Sequence, residues 1–317
     1  MKTRSAAVQG LALGISAAIL WWLGRNTAIT LDQNGISLGF GFLEQPANFE
    51  IGDAPIAYSP TDSFVRAILV GLANTARVSV LGWILAVTFG FVLGVMRLAE
   101  NPAVRGVARG FVELVRNVPL LLLLLFLAAV VHALPLARSA IELMPGVFLS
   151  DRGLVLPGLA LGPLRVDWPR LEGFNFVGGL TISSELAALL AALVLHHAAH
   201  ISEVVRGAVL AVPTRQRDAA QALGMTRWQT MRFVVVPQAL RAMVPLLASN
   251  CVSLTKNSSL AVAIGFPDLV SILNTTANQT GHAIETMLIM IVTYLGLSLL
   301  VASVMNAYNR RLLRPAA

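Results

Sequence analysis

Six stretches of this chain run for roughly twenty residues with almost no charge, and nothing else in it constrains the fold as much. The hydrocarbon core of a bilayer is about 30 Å thick, and a helix crosses it with about 20 mostly apolar residues. Ser5–Gly24 is uncharged throughout. Ala67–Met96 is broken only by Arg77, and Asn117–Ala137 by nothing. Leu186–Ser202 (begun a turn or two earlier, near Thr181), a stretch from Ala242 broken at Lys256, and Thr286–Asn309 complete the set. Only 12% of residues are charged and 56% are apolar, against about 25% charged in a soluble domain. The chain reads as an all-α integral membrane protein with about six transmembrane helices.

Charges between the runs set an orientation, because basic residues accumulate on the cytoplasmic side. With the N-terminus inside, the inner segments Met1–Arg4, Arg97–Arg116, Glu203–Arg241 and Arg310–Ala317 hold 15 basic and 4 acidic residues. The outer segments Arg25–Arg66, Arg138–Glu185 and Lys256–Glu285 hold 7 and 12. The expected topology is therefore N-in and C-in. A secretory signal peptide is the rival reading of the first run, but the run is long for one and no A-x-A-like site precedes Arg25. It is read as a retained helix. The outer loops 25–66 and 138–185, rich in Gly and Pro, are expected to be packed on the spans or partly disordered.

Several function classes fall away. The net charge of +7 is accounted for by the inner face, and with 7% aromatic residues no nucleic-acid partner is expected. One cysteine, Cys251, supports neither a disulfide framework nor a cysteine-held cluster. The two lysines, Lys2 and Lys256, are not in a G-x-x-x-x-G-K-[ST] loop, so the chain by itself has no such cradle for nucleotide phosphates.

The longest inner loop, Glu203–Arg241, carries the most specific pattern. It reads as two short helices. The first runs from about Thr214 to Leu223, with Pro213 at its start and Gly224 as its stop. The second starts at Thr226 with Gln229 in capping-box spacing and ends before Pro237. Ala219, Ala220 and Ala222 leave a bare surface that another body can approach closely, ringed by Arg215, Arg217, Arg227 and Arg232. An amphipathic hairpin lying on the membrane is the alternative on periodicity alone.

The spacing goes further. D-A-A-Q-A-L-G (Asp218–Gly224), nine residues, then V-V-V-P (Val234–Pro237) resembles the E-A-A-x-x-x-G-x9-I-x-L-P loop of ABC-importer permeases. Ala219, Ala220, Gly224 and Pro237 match; Asp218, Val234 and Val236 are conservative departures. R-N-V-P-L-L-L-L-L-L-F (Arg116–Phe126), A-A-H-I-S-E-V-V-R-G (Ala198–Gly207) and K-N-S-S-L-A (Lys256–Ala261) look like the polar amino-acid permeases of that superfamily. N-Q-T-G-H-A-I-E (Asn278–Glu285), with the extra first span and long outer loops, looks most like the general L-amino acid subunits.

This resemblance covers roughly Ala67 to Arg314. It implies the type I importer permease fold, preceded by an extra helix and long outer loop over residues 1–66, with the coupling loop at 203–241. It also implies residence in a bacterial inner membrane and a second permease chain, more often a related one than an identical one. Two ATPase subunits that bind ATP and Mg, a periplasmic amino-acid-binding protein and an L-amino acid substrate complete the expected system. This chain would carry no cofactor of its own and no catalytic residues. The resemblance assigns ATPase coupling to Asp218, Ala219, Ala220, Gly224 and Pro237.

For a substrate pathway, ionisable and polar groups inside a span are costly and point to function. Lys256 lies about 21 Å along a helix from Ala242, among Asn250, Ser253, Thr255, Asn257, Ser258 and Ser259. Asn250, Ser253 and Asn257 share one face by i, i+3, i+7 spacing. Interhelical hydrogen bonding is the competing explanation. His196, His197 and His200, with Glu203, form the one metal-like cluster; pathway lining or packing by His197 and His200 is preferred over metal. Arg77 is expected to snorkel at the outer interface with Asn74 and Thr75 lining the cavity. Pro267 and Asp268 should start a short outer helix, and Asn278, Gln279 and Glu285 should meet the binding protein or a substrate ammonium. Two rival functions stay open: an ion-coupled secondary carrier, whose inverted repeats are not evident, and a membrane metalloenzyme using His196 and His200.

Overall fold

The computed structural model describes residues 2–33, 39–160, 165–173 and 175–313. Met1 and residues 314–317, counted above with the inner segments, lie outside the described residues. The long helices are α1 (Lys2–Gln33), α2 (Phe64–Met96), α5 (Ser184–Leu210), α8 (Val236–Asn257) and α10 (Ala283–Leu313). Shorter ones are α3 (Pro102–Asn117), α4 (Leu120–His132), α6 (Thr214–Ala222), α7 (Arg227–Thr230) and α9 (Leu269–Thr280). Among the described residues four helical stretches are long and apolar enough to cross a membrane: 64–96, 184–210, 227–264 and 283–307. A fifth exists if α3 and α4 count as one broken span. The expected first span lies within α1, which is not one of these four and whose described side chains are all exposed.

The expected third span, 117–137, contains only the 13-residue α4, while α3 occupies most of the expected inner segment 97–116. α3 and α4 meet at 104°, because Pro119 forces Val118 out of the helical region to φ −95°, ψ 126°. The run of leucines begins only after that corner. On α3, Ala108, Val112 and Val115 are buried while Val107 and Leu114 are exposed.

α2 and α5 form the most extensive helix pair. Their backbones approach closely because glycines replace side chains at the crossing. A β-carbon on Gly90 would lie 2.7 Å from Ile201, and one on Gly94 would lie 2.6 Å from Val205. Close approach through small residues is how apolar helices associate without a hydrophobic driving force in lipid. Ala86, Ile201, Val205, Val235, Ala239 and Leu254 continue this contact into α8.

The loop at 138–185 departs from expectation. Among its described residues it forms eight short strands. β1 (Ile141–Met144), β2 (Val147–Ser150), β3 (Gly153–Leu156) and β8 (Leu180–Ser183) make an antiparallel sheet in the order β1-β2-β3-β8. Two hairpins, β4–β5 (Gly158–Ala160 with Arg165–Asp167) and β6–β7 (Arg170–Glu172 with Asn175–Val177), sit between β3 and β8. Strands of three or four residues with turns between them show little hydrophobic periodicity. β8 feeds directly into α5, whose first turn is capped by Ser183 accepting from the Leu186 amide at 3.3 Å.

Residues 39–63 pack over the same end of the bundle as this sheet. Phe42 and Ala47 are buried against Phe64, Ala67 and Ile272. α5, of 27 residues, spans about 40 Å from this end to the hairpin that follows Leu210.

Candidate functional site: the inner hairpin and the polar face of the bundle

The hairpin is built from local signals. Pro213 precedes α6, and after Ala222 the chain turns at Gly224, whose φ of +79° is the left-handed conformation that glycine adopts without strain. There the Gly224 amide donates to Gln221 O at 2.9 Å and the Met225 amide to Ala220 O at 3.1 Å. Thr226 then caps α7 in a complete capping box: its amide donates to Gln229 Oε1 at 2.8 Å, and its hydroxyl accepts from the Gln229 amide at 3.3 Å.

One expectation for the hairpin is corrected. The second helix does not end before Pro237. It passes through a π-helical stretch, Met231–Val235, and continues as α8 with Pro237 in the first turn. The wider helical register there precedes a residue without an amide hydrogen, and a proline is tolerated in a helix's first turn. The fifth span accordingly starts before Ala242.

The motif residues divide between two faces. Ala220 is buried, 4% exposed, whereas Asp218, Ala219, Gly224 and Pro237 are exposed. Arg215 and Arg232 are exposed beside them, but Arg217 turns inward and donates to Val209 O at 2.5 Å. Arg227 reaches Glu100 at 2.5 Å. Gln216 and Gln238 bond each other, tying α6 to α8. The hairpin is thus fastened to the bundle from behind, while Asp218, Ala219 and Gly224 face outward together with the exposed apolar side chains of Leu223, Trp228 and Phe233.

The polar face of α8 is divided as well. Asn257 Nδ2 donates to Nε2 of His197, 3.2 Å away and 3% exposed. Asn250 lies against the same imidazole, although its amide donates to Leu246 O at 3.0 Å. Ser253 is exposed. Lys256, one residue from Asn257, points elsewhere because successive helical residues diverge by about 100°. It lines a cavity of about 460 Å³ with Ser259, Tyr294 and Ser298. His196 packs its ring against His197 at 5.4 Å and against His200 at 4.8 Å. Among the described residues no group of three or more His, Cys, Asp or Glu side chains is arranged to hold a metal ion.

At the opposite end several expectations are replaced. Arg77 does not snorkel: its Nη2 pairs with Asp53 Oδ1 at 2.7 Å, and its guanidinium lies over the Phe266 ring. Asp53 Oδ2 also accepts from the Ser183 hydroxyl at 3.0 Å. Asn74 and Thr75 do not line a cavity. Both are fully buried; Asn74 donates to Asp53 O and Pro267 O at 2.6 and 2.9 Å, and Thr75 accepts from the Leu269 amide. Glu285, 4% exposed, accepts from the Gly39 amide at 2.8 Å and pairs with His282, so it is spent inside the chain. Asn278 and Gln279 are exposed.

Asp268 caps α9 as expected, accepting from the Ser271 amide at 2.9 Å. Burial pushes its carboxyl up to about 6, against the opposing pull of that hydrogen bond. Asp53 is the residue that sequence reasoning missed. The available signal was Arg77 itself, a lone charge in a span that demands a partner.

Residues 86–314 match the family described as binding-protein-dependent transport system inner membrane component. The general L-amino acid transport system permease protein AapQ of Rhizobium johnstonii is 35% identical, over 98% of this chain and 92% of that one. The glutamate/glutamine/aspartate/asparagine transport system permease protein BztB of Rhodobacter capsulatus is 32% identical, over 98% and 93%. A chain in a crystal structure of an amino acid ABC transporter with histidines superposes with a TM-score of 0.59 at 21% identity, over 78% of this chain and 95% of that one. The apolar helices, the type I importer permease fold and the match across 86–314 lead to one conclusion: this chain belongs to the family of binding-protein-dependent transport system inner membrane components, the membrane permeases of ABC importers.

Proposed function

We propose that this chain is one half of the transmembrane pathway of an ATP-driven amino acid importer. A second permease chain, a related one, supplies the other half, and a periplasmic binding protein delivers the L-amino acid. Two ATPase subunits bind ATP and Mg and dock on Asp218–Pro237. The extra N-terminal unit, residues 1–66, precedes the permease unit at 67–314. The observation that carries the coupling role is the two-faced hairpin: Ala220 is buried and Gln216 is tied to α8, while Asp218, Ala219 and Gly224 face outward. A surface held rigidly from behind transmits a push. Movement of the ATPases would pass through α6 and α7 into α8, and rigid-body motion of the packed helices would alternate access.

Asn250, Ser253, Asn257, His197, Lys256 and His200 are the candidate pathway groups. The His197–Asn257 bond joins α5 to α8, so this contact is remade if the two helices shift. The polar-amino-acid resemblance and the names of the similar permeases favour amino acids as cargo. An Ala219→Trp substitution places a large side chain on an exposed position. Uptake of radiolabelled amino acids by cells carrying the whole transporter should fall at least about tenfold, equivalent to about 1.4 kcal/mol of lost coupling, and the ATPase should no longer copurify. Full uptake by this variant would refute the docking role.

A further inference from the structure

Behind the hairpin lies a cavity of about 570 Å³, lined by Arg217 and Gln221 of α6, Arg227 and Thr230 at α7, Val209 of α5 and Glu100. Its polar groups are incompletely used. Arg217 makes one hydrogen bond, from Nη2 to Val209 O, and its buried Nε has no acceptor. The Thr230 hydroxyl oxygen is buried and without a partner, in a residue 3% exposed. Among the described residues no carboxylate pairs with Arg217, whereas Arg227 is taken by Glu100.

Buried donors without acceptors are rare and mark a missing water, ion or ligand. A guanidinium presents a planar fork of donors that fits a carboxylate or phosphate in two-point contact. Two guanidiniums and one carboxylate leave the cavity one net positive charge, which a single carboxylate neutralises and a phosphate dianion would overshoot. The volume lies in the range of small-molecule pockets.

We propose that this cavity binds a small monocarboxylate anion, held by the Arg217 guanidinium with the Thr230 hydroxyl and Gln221 amide beside it. The bound anion ties α6 to α7 and, through Arg217, which donates to Val209 O, to the last turn of α5, and so stiffens the hairpin. Any effect on ATP coupling rests on the docking role proposed above; the binding itself does not, and it is tested on the full chain without partner subunits.

The experiment is amide hydrogen exchange over Thr214–Met231, in sodium acetate against sodium chloride of equal ionic strength. Protection should rise about fivefold when acetate is at four times its dissociation constant. The gain should vanish in Arg217→Gln, shrink in Thr230→Val, which keeps the side-chain shape, and persist in Arg241→Gln. Equal exchange in the two salts, or an acetate effect that survives Arg217→Gln, would overturn the proposal. So would protection by inorganic phosphate or phosphatidylglycerol vesicles but not acetate. Protection that needs the ATPase and ignores acetate would also overturn it, by assigning the cavity to an acidic side chain of that subunit. Loss of ATPase docking with the acetate effect intact would sink only the coupling role.

Discussion

The two ends of the bundle treat their polar groups differently. At the end bearing the sheet, Asp53 joins α2 through Arg77 and the start of α5 through Ser183, while its carbonyl takes Asn74. Glu285 and His282 close on residue 39 in the same way. That end ties its charged groups to one another within the chain, although Asn74 Oδ1, Arg77 Nε and Asp151 Oδ1 are buried there without partners. At the hairpin end Asp218, Ala219 and Gly224 are exposed, and Arg217 and Thr230 leave buried atoms without partners. The difference lies in the charges and the surface: the sheet end pairs Arg77 and Glu285 internally, as a scaffold does, whereas the hairpin end leaves Arg217 without a carboxylate among the described residues and presents Asp218, Ala219 and Gly224 for contact with another body.

If this contrast holds, substitutions at the two ends should fail in opposite ways. The largest effect is expected from Ala219→Trp, which should abolish most uptake while thermal unfolding of the purified chain moves by no more than about 0.5 kcal/mol, as for other exposed positions. Next comes the scaffold itself. Gly94→Val forces a branched side chain onto Val205 and should lower stability by about 1–3 kcal/mol, read as a lower Tm with loss of folded protein. Asp53→Ala leaves Arg77 half-buried without its carboxylate and should cost about 2 kcal/mol, with ATPase association unchanged once the protein is folded.

Asp268 adds a pH test at the end bearing the sheet. Its carboxyl sits at about 6 when folded against about 3.9 in an unfolded chain, so the folded state binds the proton more tightly. The stabilisation is complete below about pH 4 and is lost as pH rises through 6, by roughly 3 kcal/mol in all. Asp268→Asn keeps a good cap and should flatten that part of the Tm-versus-pH curve relative to the unsubstituted chain. The smallest effect belongs to the capping box: Gln229→Ala should cost about 0.5–1 kcal/mol and reduce coupling only in so far as α7 frays, which hydrogen exchange over Arg227–Thr230 reports.

What the sequence disclosed tracks how local each signal is. Pro213, Gly224 and the Thr226/Gln229 pair act within a few residues of themselves, and the helix boundaries they mark are found as expected. Asp268 announced α9 in the same way. The Asp53–Arg77 pair joins an irregular segment to a span, and no periodicity carries that information. The strands at 141–183 are too short for an alternating pattern to stand out. The corner at Val118–Pro119 was written in the proline but masked by the leucines that follow, and the π stretch before Pro237 shows that a proline can enter a helix after a change of register. Lys256 and Asn257 were grouped by composition, and the 100° between them separates Lys256 at one cavity from Asn257 at His197.

The central claim is that the outward face of the hairpin is gripped by a separate ATPase, and a photo-crosslinking residue at position 219 in intact cells tests it most directly. The account predicts a crosslinked product containing the ATPase subunit, abolished when Gly224 is replaced by tryptophan. Crosslinks to lipid alone, or labelling of position 219 by a membrane-impermeant reagent added outside the cell, would contradict it.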